Sequence, residues 1–210
     1  MINLVTGYRG KAHVTADEEA ARMMMIFSDF YVTTNGDQLA YNLVSNNQLR
    51  ILSGDLLVQG RFVRVENYED VTIETGTQEM HRTDLICLRY EKDGGTGVES
   101  MSLVAIKGTE SASAGEVPAY NEGIIAEGDN PVDFPLYQVE LEGLNVAAVT
   151  ALFTPTDNLP ELQARLKAEL EAWFEEQKEG FAPMYTYGTE EIEAGSASTE
   201  PEGSLHFVIE

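Results

Sequence analysis

The residues of this chain that could do chemistry are few, and they are scattered along the sequence. The single cysteine, Cys87, lies in the apolar segment 84–90. We expect it to be a small core residue, because a catalytic thiol needs some exposure and a nearby base or cation. The three histidines are His13, His81 and His206, and none has a second histidine or a cysteine at the spacing of a zinc site. The sequence therefore predicts neither a catalytic thiol nor a zinc centre.

Motifs of catalysis and nucleotide binding are also missing from the sequence. It contains no Gly-x-Ser-x-Gly elbow, no Gly-x-Gly-x-x-Gly and no phosphate-binding Gly-Lys-Ser loop. Segment 127–133 (EGDNPVD) offers the oxygen ligands that calcium prefers, but it lacks the twelve-residue loop pattern, so a solvated turn is favoured. Among 36 acidic residues, the proximity of two carboxylates is weak evidence for a glycosidase. We therefore predict that the protein is not an enzyme and has no catalytic residue, cofactor or metal ion.

The charge balance restricts the partners of the chain. Its 210 residues include 36 Asp and Glu but only 13 Lys and Arg, a formal net charge of −23. Such a surface repels nucleic-acid phosphate and anionic lipid, which bind through Lys and Arg. We expect no signal peptide in the first residues, which lack a basic start followed by a long apolar run, and no apolar run approaches the roughly 20 residues of a membrane span. We expect a soluble protein without nucleic-acid partners or membrane insertion, and its acidity favours a solvated surface over a dedicated basic partner.

Short strands separated by turn residues fill the middle of the sequence. The predicted strands are 39–44, 49–52, 56–58, 62–65, 71–73, 84–90, 101–107, 136–141 and 149–153. Asn35-Gly36 is a dipeptide typical of tight hairpin turns, a second turn is predicted at 53–55, and the loop 93–97 joins a strand pair. This spacing predicts a mainly β fold, with an antiparallel sandwich or a barrel-like domain over residues 1–155.

Two helices are predicted, and the second is the clearer one. The first starts at a capping box, Thr15 and Glu18, and its apolar run 23–27 is expected to be buried, in the core rather than against a partner. The second occupies residues 156–180, with Asp157 or Asn158 as its cap. Its apolar residues recur at three- and four-residue steps and form one stripe: Leu159, Leu162, Leu166, Leu170, Trp173 and Phe174. Packing of this stripe within its own subunit and a short bundle of several chains are both open.

Residues 181–210 are predicted to be an acidic linker followed by a short terminal strand. Gly, Ser, Thr, Glu and Pro dominate 182–204, and the last residues, 205–210 (LHFVIE), are strand-like. A strand after a linker could dock on a sheet edge of its own chain or of a neighbouring chain.

Several blocks of the chain resemble one family. They are 5–15 (VTGYRGKAHVT), 43–60 (LVSNNQLRILSGDLLVQG), 71–78 (VTIETGTQ) and 82–92 (RTDLICLRYEK), continued by 104–109 (VAIKGT) and 135–139 (PLYQV). In order and spacing they resemble structural proteins of the tail tip or baseplate of siphophages and prophages of Gram-positive gut bacteria, over roughly residues 1–155. None of the blocks is a catalytic motif.

The resemblance implies a non-enzymatic virion component. Such a protein would reside in the bacterial cytoplasm during assembly and then in the virion tail. It would self-associate, and we expect a trimer that contacts other tail or baseplate proteins and, in one version, the host cell surface.

Two other functions stay open at this point. The first is a module that binds carbohydrate or protein on a host surface, in which Tyr31, Tyr120 and Tyr185 could stack on sugars, although core or turn packing is the more common role of such side chains. The second is an enzyme that acts on a cell-wall polymer, for which the sequence offers no catalytic motif.

Overall fold

A computed structural model describes residues 14–181, the last three by their backbone only. The chain divides into two compact units, residues 1–156 and residues 157–210, and each is described by itself. The helix of the second unit is α2 (Leu159–Phe181). The elements of the first unit are α1 (Ala16–Phe27), β1 (Phe30–Val32), β2 (Tyr41–Ser45), β3 (Gln48–Val58), β4 (Arg61–Thr72), β5 (His81–Lys92), β6 (Glu99–Ile106), a 3-10 helix (Ile125–Glu127), β7 (Val132–Glu142) and β8 (Asn145–Ala151).

The strands form two antiparallel sheets of four. In the first sheet β3 is central: β4 pairs along its whole length on one side, while β1 and β2 share its other side. In the second sheet the strand order is β6-β5-β7-β8. The prediction of a mainly β antiparallel fold is thus confirmed, as an open sandwich rather than a closed barrel.

The core lies between the two sheets. Its buried members come from both: Val32, Leu39, Leu49, Ile51, Leu56, Val58, Val71, Ile73, Ile86, Leu88, Leu136, Tyr137, Val139 and Leu141. On β3 the core-facing residues change from odd to even numbers between Ile51 and Leu56, where the pairing with β4 shifts register. This irregularity lets one long strand keep apolar side chains in the core along its whole length.

Two turn predictions need correction, one in part and one entirely. Asn35-Gly36 does form a turn, with Gly36 at φ +62°, but it does not make a hairpin, because β1 and β2 each pair with β3 and not with each other. The residues 53–55 do not turn at all and lie inside β3. A Cβ at Gly54 would come within 2.7 Å of the Leu39 amide nitrogen, so the glycine serves close packing of backbone rather than a turn.

Helix α1 begins as predicted but is buried less than predicted. The Thr15 hydroxyl accepts a hydrogen bond from the Glu18 amide at 3.2 Å, and the Glu18 carboxylate accepts one from the Thr15 amide at 2.9 Å. However, Met25 is 88% exposed and Ile26 is 66% exposed, and Met23, Met24 and Phe27 are only half-buried, so the prediction that the run 23–27 is buried in the core is wrong. Five consecutive apolar residues span every face of a helix, and only one face can pack on a sheet.

Strand β5 is buried on both faces. All residues from Arg82 to Leu88 are buried, including Cys87 at 0% exposure, which confirms it as a core residue. The outer face lies beneath the long connection from β6 to β7. A Cβ at Gly108 would lie 2.0 Å from the Thr83 carbonyl oxygen, and one at Gly115 would lie 2.5 Å from the Thr83 amide nitrogen. These close approaches hold the connection against the central strand.

Candidate interaction surface

Helix α2 carries the predicted apolar stripe, and local sequence explains where the helix starts. The Asn158 side-chain oxygen accepts a hydrogen bond from the Glu161 amide at 3.0 Å, and the Glu161 carboxylate accepts one from the Asn158 amide at 3.1 Å. Of the two predicted caps, Asn158 therefore forms this reciprocal pair. Pro160 fits the first turn, since an amide there has no partner within the helix. The helix extends over 23 residues.

The stripe residues share one face of α2, and most of their surface is open. Exposed fractions are 77% for Leu159, 51% for Leu166, 53% for Leu170, 51% for Trp173 and 56% for Phe174. Leu162, the sixth member, is half-buried. The Trp173 and Phe174 rings pack edge-on with centroids 5.2 Å apart, beside an open cavity of about 350 Å³. Contiguous apolar surface of this kind marks interaction sites in proteins.

Ion pairs on α2 and at its start lie on both sides of the stripe. Arg165 bonds Asp157 at 2.7 Å and Glu169 at 3.1 Å. Lys167 lies 3.8 Å from Glu171 one turn on, and Lys178 pairs with Glu175 at 3.3 Å. These exposed pairs each stabilise a helix by only about 0.2–0.5 kcal/mol. The structure adds this pairing to the stripe that the sequence predicted.

In the sandwich, the most buried charged side chains form ion pairs with one another. On β5, Arg82 and Asp84 bond at 2.8 and 2.9 Å with side chains 1% and 2% exposed. Arg82 also reaches Glu110 at 3.3 Å, and the Gly108 amide donates to Asp84 at 2.9 Å. These hydrogen bonds join groups of the protein to one another. They therefore fix the connection over β5, and none of the bonded groups is directed at a ligand.

A second pair anchors the other end of the same connection. Arg89 bonds both oxygens of Asp133, at 2.6 and 2.9 Å, and the Asn121 amide and side chain donate to the same carboxylate at 3.0 and 2.6 Å. Burial opposes ionisation of Asp133, but these hydrogen bonds outweigh it, and the pKa of Asp133 is lowered from its ordinary value of 3.8. The carboxylate is therefore held charged as a structural anchor.

An open cleft of about 400 Å³ lies where β3 meets β4. Arg64 bonds both oxygens of Asp55 at 2.6 and 2.9 Å, and Asn35 donates to the same carboxylate at 3.2 Å. The cleft is lined by Asn35, Gly36, Ser53, Gly54, Asp55, Arg64, Val65 and Glu66. Hydrogen bonding to Arg64 lowers the pKa of Asp55, so this acid too serves an internal ion pair.

None of these ion pairs was predicted from the sequence. The pair Arg82 and Asp84 could have been predicted, because residues two apart on a strand share a face and these two carry opposite charges. The pair Arg89 and Asp133 is 44 residues apart in sequence and carried no such signal.

Two residues that the sequence offered for chemistry, His81 and Cys87, lie on β5. Burial raises the pKa of the Cys87 thiol to about 12, so it is not a thiolate at neutral pH. His81 exchanges both backbone hydrogen bonds with Ser111 at 2.7 and 2.9 Å. No group of three or more His, Cys, Asp or Glu side chains in residues 14–181 is arranged to hold a metal ion. His13 and His206 lie outside the described residues.

The tyrosines considered for sugar stacking have internal contacts where they are described. The Tyr31 ring packs on Phe27 with centroids 5.2 Å apart, and its hydroxyl donates to the Thr156 carbonyl at 3.3 Å. Tyr120 is half-buried, and Tyr185 lies outside the described residues, as does the predicted terminal strand 205–210.

Among the helices within residues 14–181, none combines the length and apolar character that crossing a membrane requires. No protein-family model matches the sequence, and no curated protein is significantly similar to it. The resemblance to tail-tip and baseplate proteins therefore stays a prediction from the sequence blocks.

Proposed function

We propose that the protein is a non-enzymatic structural subunit of a phage or prophage tail or baseplate, which self-associates, as a trimer in our expectation, and contacts other tail proteins. The observation that carries the proposal is the stripe on α2, in which Leu159, Leu166, Leu170, Trp173 and Phe174 are each more than half exposed. Exposed apolar surface of this extent, in the part of the chain that the structure describes, is typical of an assembly contact.

The position of the resembling blocks supports the same reading. Blocks 43–60 and 82–92 form the β2–β3 hairpin and β5, which are the framework of both sheets. The resemblance therefore concerns the sandwich, whereas the exposed stripe lies in the second unit, beyond the resembling region. A stable sandwich that bears a separate association element suits a repeated part of a virion.

The charged groups support a non-enzymatic role. The buried acids Asp84, Asp133 and Asp55 are each bonded to an arginine, and the cysteine is buried. The alternative, a module for host-surface carbohydrate, has less support, because Tyr31 is engaged with Phe27 and Thr156.

Immunogold electron microscopy tests the proposal. An antibody against the chain is applied to particles released by the strain that encodes it, with particles from a deletion strain as the control. We expect label at one end of the tail. Particles without label, from cells whose lysate contains the protein, would overturn the proposal.

A further inference from the structure

We propose that α2 binds the α2 helices of other copies of this chain in a parallel, in-register bundle. The inference rests on the proposed function and adds the surface and the orientation through which the subunits associate. Its basis is the spacing of the stripe, its exposure, and the different charge of its two sides.

The spacing of the stripe suits a bundle of nearly straight helices. Leu159, Leu162, Leu166, Leu170 and Trp173 follow steps of three, four, four and three residues. The repeat from Leu159 to Leu170 is thus eleven residues, or about 3.67 per turn, close to the 3.6 of a straight helix. The stripe therefore keeps to one side of α2 over about 21 Å, and identical stripes can meet along their length with slight supercoiling.

The charged residues beside the stripe favour a second copy as the occupant. At 100° per residue, Glu169 and Glu176 lie along one side of the stripe, while Lys167 and Lys178 lie along the other. All four side chains are exposed. The charged residues nearest the apolar face, its two borders, are therefore acidic on one side and basic on the other, although the two lysines also pair with Glu171 and Glu175 further round the helix.

These borders distinguish the two possible orientations. When identical helices pack in parallel, the acidic border of one adjoins the basic border of the next, so that opposite charges meet all round the bundle. In an antiparallel pair, each border adjoins its own copy, so that acid meets acid and lysine meets lysine. Arg165, further round the acidic side, is engaged by Asp157 and Glu169. For a chain with net charge −23, the parallel arrangement avoids additional repulsion at the contact.

The contact surface is tested with the full-length chain and a matched pair of variants. Leu170→Glu places a charge in the middle of the stripe, and Ala168→Glu places the same charge on the opposite face of α2, at an exposed residue. We expect sedimentation velocity to show self-association weakened about tenfold or more by Leu170→Glu, because the new charge is buried in the bundle. The Ala168→Glu variant is expected to associate as the native chain does. Equal association of both variants would overturn the proposed surface.

The orientation is tested by disulfide formation between introduced cysteines, since the native Cys87 is buried. In a parallel bundle, copies of Leu159→Cys lie side by side and link to each other under mild oxidation. In an antiparallel pair, Leu159→Cys would instead link to Trp173→Cys in a mixture of the two variants. Linkage of Leu159→Cys to itself supports the proposal, and preferential linkage of the mixed pair overturns it.

The proposed bundle and the proposed function can fail independently of each other. Association that survives Leu170→Glu, with immunogold label at the tail, would leave a tail subunit that assembles through another surface. Native chains that stay monomeric would refute the bundle directly.

Discussion

Arg82 and Asp84 form a doubly hydrogen-bonded ion pair in the interior of the protein, at 2.8 and 2.9 Å, with side chains 1% and 2% exposed. Both lie on the face of β5 that also carries the core residues Ile86 and Leu88, and Arg82 also donates to the backbone carbonyls of Glu74 and Thr75, between β4 and β5. An arginine side chain keeps its positive charge even when it is buried. The stability of the folded protein therefore depends on the carboxylate that neutralises this charge.

Replacing Asp84 by Asn should therefore be costly. The variant keeps the size of the side chain but removes the buried carboxylate that bonds Arg82 twice, leaving only the more exposed Glu110 at 3.3 Å, and we expect a loss of about 3–5 kcal/mol in the free energy of unfolding. Urea unfolding measures the loss. Lys107→Met is the control, because it breaks an ion pair with Glu74 whose side chains are 46% and 69% exposed, and such exposed pairs contribute little to stability. A folded Asp84→Asn protein as stable as the control would contradict this account of the pair.

The pairing of Asp133 with Arg89 makes stability depend on pH. The folded-state pKa of Asp133 lies below its ordinary value of 3.8, so the unfolded chain takes up this proton first as the pH falls. The contribution is complete above the unfolded value and is lost as the pH falls through the folded value. We expect the native protein to lose stability from about pH 5 downwards, and Asp133→Asn, already less stable at neutral pH, to lose less over the same range. Urea midpoints across that range measure the difference. Parallel pH profiles for the two proteins would show that Asp133 is not responsible.

Gly108 is required by contact rather than by backbone conformation. A Cβ there would meet the Thr83 carbonyl oxygen at 2.0 Å, and backbone cannot move aside cheaply. We expect Gly108→Ala to lower the unfolding free energy by about 1–3 kcal/mol. Gly94→Ala is the matched control, since nothing lies within 4 Å of its Cβ position, and a neutral or slightly stabilising effect is expected there. Thermal unfolding of both variants measures the contrast, and similar melting temperatures would argue against close packing over β5.

Cys87 should be inert in the folded protein. It is fully buried, and burial raises its pKa to about 12, so almost no thiolate exists at pH 8. A chromogenic disulfide reagent should modify one thiol per chain in denaturant and essentially none without it. Rapid modification of the folded protein would place Cys87 at an accessible position.

Local patterns in the sequence predicted local structure well. Alternation and turn residues placed the strands at 84–90 and 101–107 and the loop between them, which are β5, β6 and their connection. A hydroxyl followed by glutamate predicted the start of α1, because a capping box involves residues only three apart. For α2 the sequence left Asp157 and Asn158 open as caps, and the structure shows Asn158 in this role.

Features that depend on distant residues could not be predicted in this way. Asn35-Gly36 allows a turn but does not determine that β1 and β2 both pair with β3. Gly54 resembles a turn residue until Leu39 is known to pack against it. On α2, the periodicity predicted the stripe, since a helical face is a local property, but what covers the stripe depends on other chains or other parts of this one.

The mass of the full-length protein in solution tests the central claim most directly. Sedimentation equilibrium over a micromolar concentration range is expected to give a multiple of the 23.1 kDa chain mass, with dissociation on dilution. A single species of 23.1 kDa at every concentration would contradict a self-associating structural subunit.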